Sequence, residues 1–174
     1  MIGLPRDALI ALRTVLFRQA GPNAATYLYE AGYAGGQALH DAFIRWSRAR
    51  KLPVPDTMAA PDFERHVTAF FSELGMGAIR IGTLDDAAVT IDSSNWAESE
   101  PGSGMQFPGC YLSAGLMTDF FSRVGGAPVS ALEVECRSAG ADRCRFLIGS
   151  AETIQQVYDG IAQGTSYEAA LLAG

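Results

Sequence analysis

Three glycines within five positions of one helical run, Gly32, Gly35 and Gly36, constrain this chain more than any other feature of it. From Asn23 to about Ala49 the residues Leu28, Leu39, Phe43 and Trp46 recur at helical spacing, so the run reads as a single long helix. A glycine inside a helix costs up to about 1 kcal/mol relative to alanine. A cluster of them therefore implies that another backbone or a ligand comes close to that face. Close packing is the expectation and ligand contact the alternative; as a seam between two copies, the same face would suit an assembly subunit.

Around this helix the hydrophobic period changes in a definite order. Leu9, Leu12, Leu16 and Phe17 follow Asp7 at helical spacing and stop at Gly21-Pro22, which predicts an amphipathic first helix. The three prolines of KLPVPDTMAAP end the second helix, and Pro61-Asp62 opens a third that runs through Val67, Phe70, Phe71 and Leu74 to Gly75. Ile79, Ile81, Val89 and Ile91 then alternate on either side of GTLDDA, the pattern of a hairpin with one wet face. The Pro-, Gly- and Ser-rich NWAESEPGSGMQFPG is a loop long enough to act as a lid. A fourth helix from about Gly109 to Gly125-Gly126 follows, then a second hairpin, PVSALEVECRS and RCRFLIG joined by AGAD, and a last helix capped by Ser150. TSYEAALLAG reads as a short helical turn or a loose tail. Two hairpins without βαβ alternation predict an α+β fold, an antiparallel sheet of the two hairpins with helices packed on one side. No repeat or linker divides residues 1–174 into more than one domain.

Charge excludes one class of partner. With 13 Lys and Arg against 19 Asp and Glu, net −6, the chain lacks the cationic surface that grips a phosphate backbone. Its one basic cluster, Arg45, Arg48, Arg50 and Lys51, falls near a helix C-terminus, where cations complement the dipole and face water. Neither nucleic acid nor a membrane is an expected partner. The first segment carries Arg6, Asp7 and Arg13 with no cleavage pattern, so no signal peptide is read there and a reducing cytoplasm is the expected compartment.

In that compartment the three cysteines remain thiols. Cys136 and Cys144 lie eight positions apart across the second hairpin, and Cys110 lies upstream at the start of the fourth helix. These elements can bring the sulfurs together, and zinc accepts sulfur, nitrogen and carboxylate ligands in a closed tetrahedron. Candidates for a fourth ligand are Glu133, Glu135 and Asp142, with His40 and His66 farther off. Glu133 and Glu135 share one face of a straight strand while Cys136 points to the other. Glu133 and Cys136 can both ligate only if the strand twists or bulges between them. The alternative is a set of free thiols packed as small hydrophobes.

Residues 109–149, GCYLSAGLMTDFFSRVGGAPVSALEVECRSAGADRCRFLIG, resemble the C-terminal half of the 4-vinyl reductase domain family. The pattern is a Gly-Cys at a helix start, a glycine five residues after that Cys, then E-x-x-C and a Cys eight residues on. Cys110, Gly115, Glu133, Cys136 and Cys144 match it, and GPNAATYLYEAGYAGGQAL is similar to the family's helical entry segment. In phenol- and xylene-sensing members the matching residues bind zinc, so the resemblance implies Cys110, Glu133, Cys136 and Cys144 as a structural zinc tetrad. It also implies the fold of NO-signalling and Golgi-transport ligand-binding domains, shared with TRAPP trafficking subunits. A homodimer formed through helices and a small apolar or aromatic ligand inside each protomer are further implications.

In the aromatic sensors a His and a Trp read the ligand hydroxyl. His66 and Trp96 are available here, but the family's Trp stands just before an acidic-Ser pair, where this chain has Thr90 or Ile91, so phenol recognition is not carried over. The expected pocket lies between the third helix and the first hairpin, lined by Phe70, Phe71, Ile79, Ile81, Ile91 and Tyr111 with His66 and Trp96; plain core packing fits the same residues. The function these features imply is a zinc-stabilised sensor domain for an apolar, aromatic or tetrapyrrole molecule. It would stand alone and signal through a separate protein, because no GxxxxGK[ST] stretch or helix-turn-helix follows residue 150. The alternatives are a vinyl tetrapyrrole reductase or carrier in (bacterio)chlorophyll synthesis, and a ligand-free tether or assembly subunit. GSGMQFPG offers no dinucleotide fingerprint, which weighs against an enzyme.

Overall fold

Both alternating segments fold back on themselves, and the two hairpins join edge to edge. A computed structural model describes residues 5–173, so the first four residues of the amphipathic opening run lie outside it. The helices are α1 (Arg6–Ala20), α2 (Asn23–Ala49), α3 (Ala60–Glu73), α4 (Tyr111–Gly125), α5 (Ala151–Ala162) and α6 (Tyr167–Leu172). The strands are β1 (Arg80–Leu84), β2 (Ala88–Ser93), β3 (Ser130–Glu135) and β4 (Cys144–Gly149), in the antiparallel order β1-β2-β4-β3. Pairing of Ile91 with Phe146 and of Ser93 with Cys144 joins the hairpins through β2 and β4. No described helix is long and apolar enough to cross a membrane.

The glycine face of α2 meets α4 of the same chain. An ideal Cβ on Gly32 would fall inside the contact distance of the Leu112 carbonyl oxygen, and one on Gly115 inside that of the Tyr29 carbonyl oxygen. The two helices thus cross backbone against backbone, each through the other's glycine. The close-packed seam is internal, which corrects the reading of this face as a junction between two copies. Thr118 fixes the crossing: its hydroxyl accepts hydrogen bonds from Tyr29 Oη at 3.0 Å and from the Ala131 N–H at 2.9 Å, tying α2, α4 and β3 together.

Helices cover both faces of the sheet, where one covered face was expected. Phe43, Phe70, Phe71, Trp96, Phe120 and Phe146 form an aromatic core between α2, α3, α4 and the inner face, with ring centroids 5.1 Å (Phe43–Phe70) to 6.0 Å (Phe71–Trp96) apart. On the outer face Ala88, Leu132, Val134 and Leu147 are also apolar, and Ile154, Val157 and Leu171 of α5 and α6 bury them. The alternation of β4 is therefore apolar on both parities beyond Arg145. The outer face also holds a polar lock: Asp92 takes two 2.7 Å bonds from Arg145, Glu135 takes two from Arg143, and Tyr167 Oη donates to Glu135 at 2.6 Å.

The first helix runs against its pattern. Leu12 is 50% exposed and Val15 42%, whereas Arg13 is 4% exposed. A buried guanidinium is tolerable only when its donors are taken, and those partners come from the loop between β2 and α4.

Candidate metal centre

The loop of residues 94–110 brings the first thiol to the centre. Two arginines of α1 hold it: Arg6 Nε donates to the Ala97 carbonyl at 3.0 Å, and Arg13 donates to the carbonyls of Glu98 and of Gly109, the latter at 2.8 Å. The Glu98 carboxylate, 2% exposed, lies 3.4 Å from Arg13 Nε. It accepts the Ser113 N–H at 2.8 Å and the Leu112 N–H at 3.3 Å, and also the Ser113 hydroxyl. Those N–H groups belong to the first turn of α4 and have no partner within the helix, so an anion there is doubly favoured. Trp96 Nε1 donates to Ser113 Oγ at 2.7 Å and completes the clamp. Cys110 then stands at the N-terminal boundary of α4. The loop is not an open lid: Met105 N–H donates to the Ser138 carbonyl at 3.1 Å and Glu100 N–H to Ser138 Oγ at 2.8 Å, fastening it over the turn of the second hairpin.

That hairpin supplies the other three groups. The register of β3 against β4 slips between Glu133, opposite Phe146, and Glu135, opposite Arg145, so two steps on β3 match one on β4. This bulge at Val134 is the feature on which joint placement of Glu133 and Cys136 depended. A 3₁₀ turn over Arg137–Ala139 and Gly140 at φ 91° then return the chain to Cys144, the first residue of β4.

One ligand atom from each of Cys110, Glu133, Cys136 and Cys144 lies within 4.8 Å of the others, and all four residues are buried. The Sγ atoms of Cys110 and Cys136 are 3.8 Å apart. Glu133 Oε2 accepts the Cys110 N–H at 2.7 Å. Its Oε1 is buried with no hydrogen-bond partner. An orphaned carboxylate oxygen in a dry site costs several kcal/mol unless a positive charge meets it. A cation among three sulfurs and this oxygen fits that chemistry.

Titration behaviour agrees. Burial, followed by the charge of Cys136, raises Glu133 to about 8. Hydrogen bonding to Cys136 and Cys144, then burial, pushes Cys110 well up. Cys144 stands at about 12: the Cys110 hydrogen bond draws it down, but Cys136, burial and the Glu133 charge outweigh that. Cys136 is held low by the Cys110 and Cys144 thiols, with the Gly109 N–H and the Ser138 hydroxyl helping against burial. Without a cation the cluster holds one thiolate and keeps protons on its other members at neutral pH. Binding a metal displaces them.

The remaining sequence candidates lie elsewhere. Glu135 faces outward onto Arg143 and Asp142 is exposed. His40 packs edge-on against Phe120 and His66 against Trp46. Of the expected pocket lining, Phe70, Phe71, Ile91 and Trp96 are 0–2% exposed and lie in the aromatic core. Tyr111 packs on Phe17, 6.2 Å between rings, away from His66. Of the four main surface clefts among the described residues, none is lined by these six side chains. Sequence reasoning missed Arg13 and Glu98. The one available signal was an arginine inside an apolar helical run.

Arg13→Met is expected to lower stability by about 3 kcal/mol, because it strands the Glu98 carboxylate in the interior. Burial already raises the Glu98 pKa, with Arg13 opposing the rise; loss of Arg13 raises it further. A carboxyl with a raised folded-state pKa loses stability as pH rises above its unfolded value. The deficit of the variant should therefore be smallest in mild acid and grow toward neutral pH in urea unfolding; a deficit independent of pH would contradict the clamp.

The 4-vinyl reductase domain model matches residues 88–150 of the chain. Three solved structures share its fold. The phenol-responsive sensory domain of the transcription activator PoxR, with phenol, superposes at a TM-score of 0.64 with 18% identity, over 96% of this chain and 83% of that one. A vinyl-4-reductase family protein from Methanocaldococcus jannaschii gives 0.55 and 20%, over 85% and 82%. Trafficking protein particle complex subunit 3 from Naegleria fowleri, covalently bound to palmitic acid, gives 0.63 and 17%, over 83% and 91%. No curated protein matches the chain.

Proposed function

We propose that this chain is a small-molecule-binding sensor domain in which Cys110, Glu133, Cys136 and Cys144 hold a structural zinc ion. The observation that carries the metal is the buried, partnerless Glu133 Oε1 beside three converging thiols. When bound, zinc supplies a closed linkage of α4 to the second hairpin, and four protein ligands leave no position for a reacting water. The surrounding residues keep the site dry and orient its donors: Arg13 and Glu98 seat the start of α4, and the Gly109 N–H and Ser138 hydroxyl point at Cys136. Support for a sensor comes from the domain match at residues 88–150 and from the fold shared with a phenol-responsive domain. A homodimer would use the outward apolar side chains of α1 and α2, Leu12, Val15, Tyr27 and Tyr33, each 42–51% exposed.

Elemental analysis of the purified chain is expected to find zinc at one ion per chain, and mass spectrometry of the same sample an apolar or aromatic molecule. Full-length folded protein without metal would remove the basis of the metal reading. One observation favours a second reading, a ligand-free tether: the residues expected to line a pocket fill the core with their own rings, and the fold is shared with a trafficking subunit. Heating with and without aromatic compounds separates the two, since a ligand of the native state raises the melting temperature by mass action.

A further inference from the structure

A cleft of about 420 Å³ lies between α2, the 54–55 linker and the end of α4, lined by Ile44, Val54, Pro55 and Val124 with His40 and Arg123 as its polar members. It shares no residue with the metal cluster. Val54 is 46% exposed, yet the adjacent Pro53 and Pro55 rings fix their own backbone and limit its movement. An apolar wall is thus held ready at the mouth, without the ordering cost that a flexible loop would add on binding.

The polar side is cationic. Arg123 gives only its Nε to the protein, a 2.7 Å bond to Asp119 Oδ2, and its terminal amino groups make no hydrogen bond among the described residues. His40 Nδ1 lies 3.7 Å from Asp41 Oδ1, and its Nε2 has no protein partner among the described residues. Along the same ridge of α2, at successive i+4 steps, follow Ile44 and the exposed Arg48, with Arg45 beside it; neither arginine forms an ion pair among the described residues. Asp41 and Asp119 are the acidic groups set against them. In a chain of net charge −6 this end therefore carries a local positive excess, which draws anions. The carbonyl end of α4 disfavours an anion within its last turn, so recognition falls to the planar guanidinium, whose paired donors match a carboxylate.

We infer that this cleft binds a small carboxylic acid, its carboxylate on Arg123 and His40 and a short aromatic or aliphatic body against Ile44, Val54, Pro55 and Val124. The inference rests on the reading of the chain as a ligand-binding domain, and it supplies the ligand class and the place.

Calorimetric titration of the whole zinc-loaded chain with benzoate and hexanoate, and with benzamide and hexanamide as neutral counterparts, tests it. The acids are expected to bind saturably and the amides at least about tenfold more weakly, the difference that charge-assisted hydrogen bonds provide. Arg123→Gln should reduce benzoate affinity by a similar factor. Because that variant leaves Asp119 without its partner, Val54→Asp, which puts a like charge at the exposed mouth, serves as the second probe and should weaken benzoate at unchanged melting temperature. Equal binding of acids and amides, no saturable binding of the acids, or undiminished benzoate affinity in Val54→Asp each overturns the assignment. Were neutral aromatics to raise the melting temperature of wild type and Val54→Asp alike while benzoate did not bind, this cleft would be ruled out and the sensor reading would stand.

Discussion

Stripping the metal with a chelator is expected to lower the melting temperature of this chain by roughly 10–20 °C, corresponding to a loss of about 5 kcal/mol in a domain of this length. Cys136→Ser should act similarly, since it removes a donor shared by the other two thiols and leaves Glu133 facing a void. The pH dependence sharpens the test. In the metal-free fold Glu133 is raised from 4.5 to about 8, so its folded-state pKa exceeds its unfolded one. The metal-free protein is then most stable below the lower value and loses stability as pH rises through about 8. The loaded protein has the opposite trend, because metal and protons compete for the same sulfurs and oxygen and acid drives the ion off. The two melting curves should diverge from mild acid to neutral pH and converge in acid. Parallel curves at all pH values, or a chelated protein that melts with the untreated one, would dispose of the metal.

Much of this site was legible because local signals set it. The Cys110 and Cys144 positions follow from a helix start and a hairpin return, each marked by glycine or by alternation, and the need for a bulge between Glu133 and Cys136 follows from strand parity alone. The bulge at Val134 meets that need. The resemblance read over residues 109–149 falls within the domain match at residues 88–150. What was not legible is set by tertiary partners. The pattern of α1 promised an apolar face against the core, but its deepest residue is Arg13, and no window of residues 6–20 holds Glu98 or the Gly109 carbonyl that make this burial tolerable. The second helical layer was missed for a related reason. Leu132 and Leu147 could serve a covered or an open face, and only the docking of Ile154 and Val157 decides between them.

Gly115→Val is expected to cost at least about 4 kcal/mol, a large part of the roughly 5–15 kcal/mol that holds a typical domain together. The reason is the obstacle: a Cβ at this position would overlap the Tyr29 carbonyl and crowd the Tyr33 N–H, both backbone atoms of α2 that no rotamer change can move aside. The helices must separate, and separation breaks the Tyr29–Thr118 hydrogen bond and displaces the start of α4, five residues upstream, where Cys110 meets Glu133. Metal affinity should therefore fall together with stability, although Gly115 touches no member of the cluster. Gly115→Ala should show the same coupled loss in smaller measure. Gly125→Ala is the control, for that glycine closes the same helix with nothing within 4 Å of its would-be Cβ, and alanine there should be neutral or stabilise by up to about 1 kcal/mol. If Gly115→Ala melted and held zinc like Gly125→Ala, α2 and α4 would not be crossing backbone to backbone, and their contact would not be what positions the first thiol.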